Sequence, residues 1–207
     1  MTAVIFSGGD IENYSALPYV NYDEVYILCA DSGVRHAVAL GLEPNVIVGD
    51  HDSWKEEYPN ADKVIVCPPE KDFTDTALCV DTAIEYGCSE ILLFGGTGGR
   101  LDHEFSHFCL MAHALEHGVR LRLINEKNEI WMENKPFLLK RGKRRYVSFF
   151  PYGGDVTDFT VKGLLYTADN MYMSCSEAAA SSNEFDSCDT AEISFSGGTL
   201  LVMLCDD

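Results

Sequence analysis

Ile91-Leu92-Leu93-Phe94-Gly95-Gly96-Thr97-Gly98-Gly99-Arg100-Leu101-Asp102-His103 is the stretch on which the fold turns. Its first four residues form a continuous apolar run. Such a run fits a strand buried on both faces of a parallel sheet. Four glycines follow, which let backbone amides approach a ligand closely. Beyond them Leu101, Phe105, Phe108, Ala112 and Leu115 recur at steps of four, three, four and three. That spacing predicts an amphipathic helix, closed by Gly118.

Upstream the same grammar repeats. Ala3–Phe6, Val25–Ala30, Val46–Val48 and Val64–Cys67 read as further buried strands. Thr74 to Tyr86 reads as a helix with Ala77, Val80 and Ile84 on one face and Gly87 as its stop signal. Alternating strand and helix predicts an α/β domain with a doubly wound, mostly parallel, Rossmann-like sheet over residues 1–125. Downstream, short β-prone pieces follow one another: Glu129–Met132, Tyr146–Phe150, Phe159–Val161, Met171–Ser174, Ala191–Phe195 and Thr199–Cys205. Gly197-Gly198 reads as a hairpin turn between the last two. Residues 126–207 are therefore expected to form an all-β sandwich domain.

The chain has 207 residues and a formal net charge of −18. A surface that negative repels nucleic acid backbones and anionic membranes, so neither is expected as a partner. It also repels free ATP, so any phosphate ligand would need a divalent cation to screen it. No apolar run approaches the roughly 20 residues a bilayer requires. Met1 to Gly9 reads as a first strand and not as a signal peptide. The eight cysteines form no CxxC pair, which fits reduced thiols in the cytoplasm.

Three loops carry candidate chemistry, each at the C-terminal end of an expected strand, where open α/β sheets bind ligands. The first holds Ala30-Asp31-Ser32-Gly33 and Gly49-Asp50-His51-Asp52-Ser53. Asp50 and Asp52, two apart in extended chain, can aim two carboxylates at one point, as a hard cation such as Mg²⁺ requires. The second is Lys71-Asp72-Phe73-Thr74-Asp75-Thr76. Asp72 reads there as a helix N-cap with Asp75 three positions on, and that helix end would also attract phosphate. The third is the glycine loop, where Arg100 offers a fork for phosphate and Asp102 another carboxylate. It lacks the Gly-Lys-Ser/Thr of a Walker loop and the last glycine of GxGxxG.

His103-Glu104-Phe105-Ser106-His107 also matches the HExxH pattern of zinc peptidases. His113 stands where the longer motif has its third histidine, yet Leu110 replaces the helix-breaking glycine. On a continuous helix His113 would lie about 9 Å along the axis from His107, too far to share a zinc. A zinc peptidase is the weaker alternative.

Together the segments ADSG, GDHDS, KDFTDT and GGTGGRLDH, from Ala30 to His103, resemble the bacterial-type thiamine pyrophosphokinase family. Gly163-Leu164-Leu165-Tyr166 and Ser181-Ser182-Asn183-Glu184-Phe185 resemble the family's substrate-side segments. Ser32 stands where a glycine is usual and His51 where a phenylalanine is usual. The resemblance implies a diphosphotransferase that passes the pyrophosphoryl group of ATP to the hydroxyl of thiamine. It implies Mg²⁺ and the triphosphate held by Asp50, Asp52 and Asp75. Asp31, Gly33, Lys71, Thr74, Thr97, Gly99, Arg100 and His103 would line the nucleotide. Tyr166, Ser182 and Asn183 would meet thiamine, and Asp72 or Asp102 would accept the hydroxyl proton. A homodimer with active sites at the subunit interface is implied as well. The alternative on the same fold is a non-catalytic nucleotide or thiamine-phosphate sensor.

Overall fold

The computed structural model describes residues 1–49, 59–66 and 73–207. Asp50, His51, Asp52, Lys71 and Asp72 lie outside the described residues. The chain divides into two compact units, Met1–Glu126 and Lys127–Asp207.

In the first unit six strands among the described residues form a parallel sheet: β1 (Thr2–Phe6), β2 (Tyr26–Ala30), β3 (Val46–Gly49), β4 (Lys63–Val66), β5 (Glu90–Phe94) and β6 (Arg120–Ile124). Their order is β4-β3-β2-β1-β5-β6. The order reverses at β1, because β2, β3 and β4 run off one side and β5 and β6 off the other. Such a reversal leaves a crevice outside the carboxyl ends of the strands on either side of it. Ala3, Val4, Ile5 and Phe6 of β1 are all fully buried, as continuous apolar strands should be. Strand β6, Arg-Leu-Arg-Leu-Ile, alternates charged and apolar residues and is absent from the sequence expectation.

Among the described residues three α-helices connect the strands: α1 (Val34–Ala39), α2 (Asp75–Glu85) and α3 (Leu101–Glu116). Thr74 and not Asp72 caps α2, its side chain accepting from the Ala77 N–H at 3.2 Å. The cap therefore stands two residues later than expected. In α3 the expected apolar face lies at the margin of the buried side, with Phe108, Ala112 and Leu115 half-buried. Leu101 is 80% exposed and Phe105 is 64% exposed, while His107, Met111 and Ala114 go inside. No helix among the described residues is long and apolar enough to cross a membrane.

The second unit is antiparallel: β7 (Asn128–Glu133), β8 (Phe137–Lys140), β9 (Tyr146–Lys162), β10 (Ala168–Met173), β11 (Ala180–Glu184), β12 (Thr190–Ser194) and β13 (Gly197–Cys205). The order runs β7-β13-β9-β12-β8, with β10 and β11 also paired to β9. Two expected pieces, Tyr146–Phe150 and Phe159–Val161, prove to be the ends of the single 17-residue strand β9. Its two halves meet across the core, where the Phe149 and Phe159 rings lie edge-on at 5.4 Å. Gly197-Gly198 is not a hairpin turn. Strands β12 and β13 do not pair with each other; they follow one another along β9, Ser194 opposite Thr160 and Gly197 opposite Thr157.

Candidate active site

Three glycine-bearing segments leave the carboxyl ends of neighbouring strands and converge. Ser7-Gly8-Gly9 follows β1, the 3-10 turn Asp31–Gly33 follows β2, and Gly95–Gly99 follows β5. The first and third are tied by their backbones: Ser7 N–H donates to Phe94 O at 2.8 Å and Gly9 N–H to Gly95 O at 2.7 Å. Such proximity admits no side chain, since a Cβ on Gly9 would fall 2.5 Å from Gly95 O and 2.6 Å from Thr97 O.

Between these segments and the first turns of α2 and α3 lies a cavity of about 400 Å³. Of the residues singled out in the sequence, Asp31, Thr74, Asp75, Thr97, Gly99, Arg100 and His103 line it. Segments up to 72 positions apart in sequence thus meet at one place. Gly33 is adjacent but serves packing. A Cβ there would lie 2.1 Å from Phe6 O, so glycine is what lets the Asp31–Gly33 turn cross β1. Asp102 is not on the wall. Its carboxylate accepts from Arg100 Nη2 at 2.6 Å and Nε at 3.1 Å. That fork, first of all, holds the Asp102 carboxyl below the ordinary aspartate range and raises the Arg100 guanidinium.

Asp31 has a φ of +53°, the left-handed region that a residue with a Cβ adopts at some cost. Aspartate tolerates it better than most residues do. Residues in such conformations gather at ligand sites, where the surroundings hold them in place. Oxygen donors therefore arrive from two directions, Asp31 after β2 and Asp75 at the start of α2. Hard carboxylates of this kind suit Mg²⁺.

Several wall residues escaped the sequence reading. Ser7, Gly8 and Gly9 belong by sequence to the first strand, although two glycines after an apolar run are a usable signal of a loop. The Ser7 and Thr76 hydroxyls share a buried hydrogen bond of 2.8 Å. Glu104 accepts from the amides of Gly98 and Gly99 at 2.8 and 3.2 Å. The general base that a zinc peptidase would need is therefore spent on shaping the glycine loop. His107 is buried and its Nδ1 lies 2.8 Å from Gly96 O. Among the described residues no three His, Cys, Asp or Glu side chains gather as a metal site.

Tyr166, Ser182 and Asn183 belong to the second unit. Asn183 is buried, and its amide oxygen accepts from Tyr166 N–H and Glu184 N–H, both at 2.9 Å. Its Nδ2 donates to Tyr166 O at 2.7 Å. Tyr166 and Ser182 are exposed, and Ser182 has a φ of +56°.

Comparison with known proteins extends these observations to the whole chain. Residues 18–123 match the family model "Thiamin pyrophosphokinase, catalytic domain", and residues 137–200 match "Thiamin pyrophosphokinase, vitamin B1 binding domain". The thiamine pyrophosphokinase of Bacillus subtilis is 30% identical over 184 residues, 86% of each chain. Its crystal structure superposes with a TM-score of 0.89 at 26% identity over the full length of both chains. That of the Geobacillus thermodenitrificans protein gives 0.87 at 27%, covering 100% of this chain and 98% of the other. At 14% identity the Candida albicans enzyme shares the fold, with a TM-score of 0.78 over 99% of this chain and 89% of its own. On the match of both units, the chain belongs to the thiamin pyrophosphokinase family.

Proposed function

We propose that this chain is a thiamine diphosphokinase that transfers the pyrophosphoryl group of ATP to the hydroxyl of thiamine, giving thiamine diphosphate and AMP. The observation that carries the reading is the cavity at the reversal of strand order. Glycine amides, Arg100, Asp31 and Asp75 line it together, in a chain whose two units match the two domains of the family.

The first unit, residues 1–125, is read as the Rossmann-like nucleotide domain, and residues 126–207 as the β-sandwich that binds thiamine. Asp31, Thr74, Thr97, Gly99, Arg100 and His103 would line the nucleotide, with Lys71 neutralising phosphate from the preceding loop. Gly33 supports that wall from behind. Asp50, Asp52 and Asp75 would hold Mg²⁺, and the cavity carboxylates supply the right donor type. Bound there, the ion would neutralise the phosphates and spread the charge of transfer. The thiamine hydroxyl attacks the β-phosphorus and AMP leaves. The chain's own residues act by positioning both partners. A proton acceptor paired to an arginine is a weak base, so Asp72 is a better candidate than Asp102. Tyr166 and Ser182 would meet thiamine, with Asn183 fixing the backbone of Tyr166.

We further infer a homodimer with sites at the subunit interface and a cytoplasmic location. The outward apolar stripe of α3, Leu101 and Phe105 beside Phe108, supports a second copy of this chain as its cover. Free thiols at Cys29, Cys88, Cys175, Cys188 and Cys205 accord with a reducing compartment.

The test is incubation with Mg²⁺-ATP, with and without thiamine, following AMP and thiamine diphosphate. AMP that appears only with thiamine, one for one with thiamine diphosphate, and is lost in Asp52→Asn or Asp75→Asn, supports the reading. A folded protein that binds thiamine but yields no AMP with any divalent metal overturns it in favour of a sensor.

A further inference from the structure

Two buried histidines lie behind the glycine segments of the cavity, one behind each. His36, on α1, has Nε2 2.8 Å from Gly9 O and Nδ1 2.7 Å from the Tyr14 hydroxyl. His107, on α3, has Nδ1 2.8 Å from Gly96 O. Both side chains are almost wholly inaccessible, at 2% and 5% exposure. A carbonyl oxygen only accepts, so geometry fixes the proton in each ring. His36 carries it on Nε2 and accepts from Tyr14 on Nδ1; His107 carries it on Nδ1. The histidines also bound the space of the neighbouring glycines. A Cβ on Gly95 would sit 3.2 Å from His36 Nε2, and one on Gly96 would sit 3.2 Å from His107 Nδ1.

Each glycine segment needs such a brace. Glycine chains lose the most conformational freedom on ordering, and each segment has one anchoring side chain at its end, Ser7 on Thr76 and Thr97 on Asn125, which leaves the glycines between to be held by their backbones. Their backbones bond to each other through Gly9 N–H and Gly95 O. That rung fixes one segment against the other but leaves the carbonyls of Gly9 and Gly96 to find partners elsewhere. The two imidazoles supply those partners from opposite sides.

We propose that His36 and His107 are positioning residues that clamp Ser7-Gly8-Gly9 and Gly95-Gly96-Thr97 into one preformed cradle for the polyphosphate of the nucleotide. Neither touches the reacting atoms; each acts through a backbone carbonyl. The proposal rests on the reading of this cavity as the nucleotide site. Burial lowers the pKa of both rings, which accords with the neutral, single-donor form that the geometry requires.

The test compares variants that keep the donor with variants that lose it. Asparagine places an amide nitrogen where histidine has Nδ1, and glutamine places one where histidine has Nε2. His107→Asn and His36→Gln should therefore stay within about threefold of wild type. His107→Leu and His36→Leu should raise KM for ATP about tenfold, the loss commonly carried by one buried hydrogen bond, and leave KM for thiamine unchanged. Loss of folded enzyme alone would lower kcat and move neither KM. Amide hydrogen exchange across Ser7–Gly9 and Gly95–Thr97 should quicken most in the leucine variants, not at all in His107→Asn, and in His36→Gln no more than in Tyr14→Phe, since glutamine keeps the donor to Gly9 but not the acceptor for Tyr14. Where a leucine variant does not fold, Tyr14→Phe removes only the hydroxyl that orients His36 and should quicken exchange at Ser7–Gly9 alone. Unchanged exchange and KM in the leucine variants, unchanged exchange in Tyr14→Phe, or donor-keeping variants as impaired as leucine, overturns the clamp. Wild-type enzyme that makes no thiamine diphosphate would overturn the functional reading instead, and the exchange comparison would still decide the clamp.

Discussion

Gly33→Ala and Gly99→Ala make the same chemical change at two glycines of the site and should have opposite outcomes. At Gly33 the new Cβ would fall 2.1 Å from Phe6 O and 2.6 Å from Phe6 C. Relief needs about 1 Å of separation between backbones, since non-bonded carbon contacts lie near 3.5 Å. Phe6 cannot give way easily, because it is fully buried in β1, which is paired on both sides. Overpacking costs about 1–3 kcal/mol, and a rigid backbone obstacle puts this case near 3. For a chain of this length that is a fall in Tm of roughly 6–12 °C. At Gly99 nothing lies within 4 Å and φ is not positive. Its methyl would enter the cavity wall, so stability should move by less than about 0.5 kcal/mol while ATP affinity falls. Thermal melts and ATP titration calorimetry on both variants decide the matter. Gly33→Ala melting within 2 °C of wild type, or Gly99→Ala melting as low as Gly33→Ala, would refute the steric account of the Asp31–Gly33 turn.

Three other outcomes follow from the site. Glu104→Gln keeps an acceptor for the Gly98 and Gly99 amides but removes a negative charge from the cavity, so ATP should bind about fivefold tighter by calorimetry. Asp31→Asn keeps a residue that tolerates φ +53° but loses the carboxylate. It should melt like wild type and lose at least about tenfold in kcat/KM, as loss of a charged contact implies. The buried histidines set an acid limit. Burial, first of all, holds His36 and His107 below the ordinary 6.5, so below that pH the unfolded chain takes up protons that the folded chain refuses. Their contribution to stability is complete above pH 6.5 and is lost as pH falls through the folded values. Urea unfolding from pH 8 to 5 should show that slope, and it should flatten in a His36→Gln, His107→Asn double variant.

The parallel sheet was legible because its strands are buried on both faces and leave unbroken apolar runs. β6 was not, because Arg120 and Arg122 interrupt its run; Arg122 is accommodated by an ion pair with Glu90 at 3.3 Å. Periodicity found α3 but misplaced the centre of its buried face, since Phe108, Ala112 and Leu115 are only half-buried. The helix turns inward the side that carries His107 beneath the Gly96 carbonyl, and small or flexible residues such as Ala114 and Met111 complete that side. The long strand β9 reads from sequence as two pieces because Pro151 and Gly153-Gly154 interrupt its β-prone run. The chain instead bends there, with Gly153 at φ +70° and a register shift opposite Gly197 and Thr199. Within the site, carboxylates and the glycine loop after β5 stood out because their residue types are chemically loud. The loop after β1 did not, since its wall is made of backbone. No pattern of residue types announces that two imidazoles 71 positions apart both end on glycine carbonyls.

The charges of the cavity bear on how such an acidic chain can take a polyanion at all. Asp31, Asp75 and Glu104 line it, against Arg100 as the permanent cation among the described wall residues. Arg100 already faces Asp102 at 2.6 Å, which offsets its charge. Glu104 accepts from Gly98 and Gly99 but keeps its charge, and with Asp31 and Asp75 it makes a local negative field. A bare triphosphate would meet repulsion from this wall as well as from the chain's −18. A divalent cation reverses that sign, because the same carboxylates then attract what carries the phosphates. The glycine amides add donors without adding charge. An acidic site built this way selects the metal-bound nucleotide over the free one, and its selectivity resides in the carboxylates that a simple phosphate-binding site would do without.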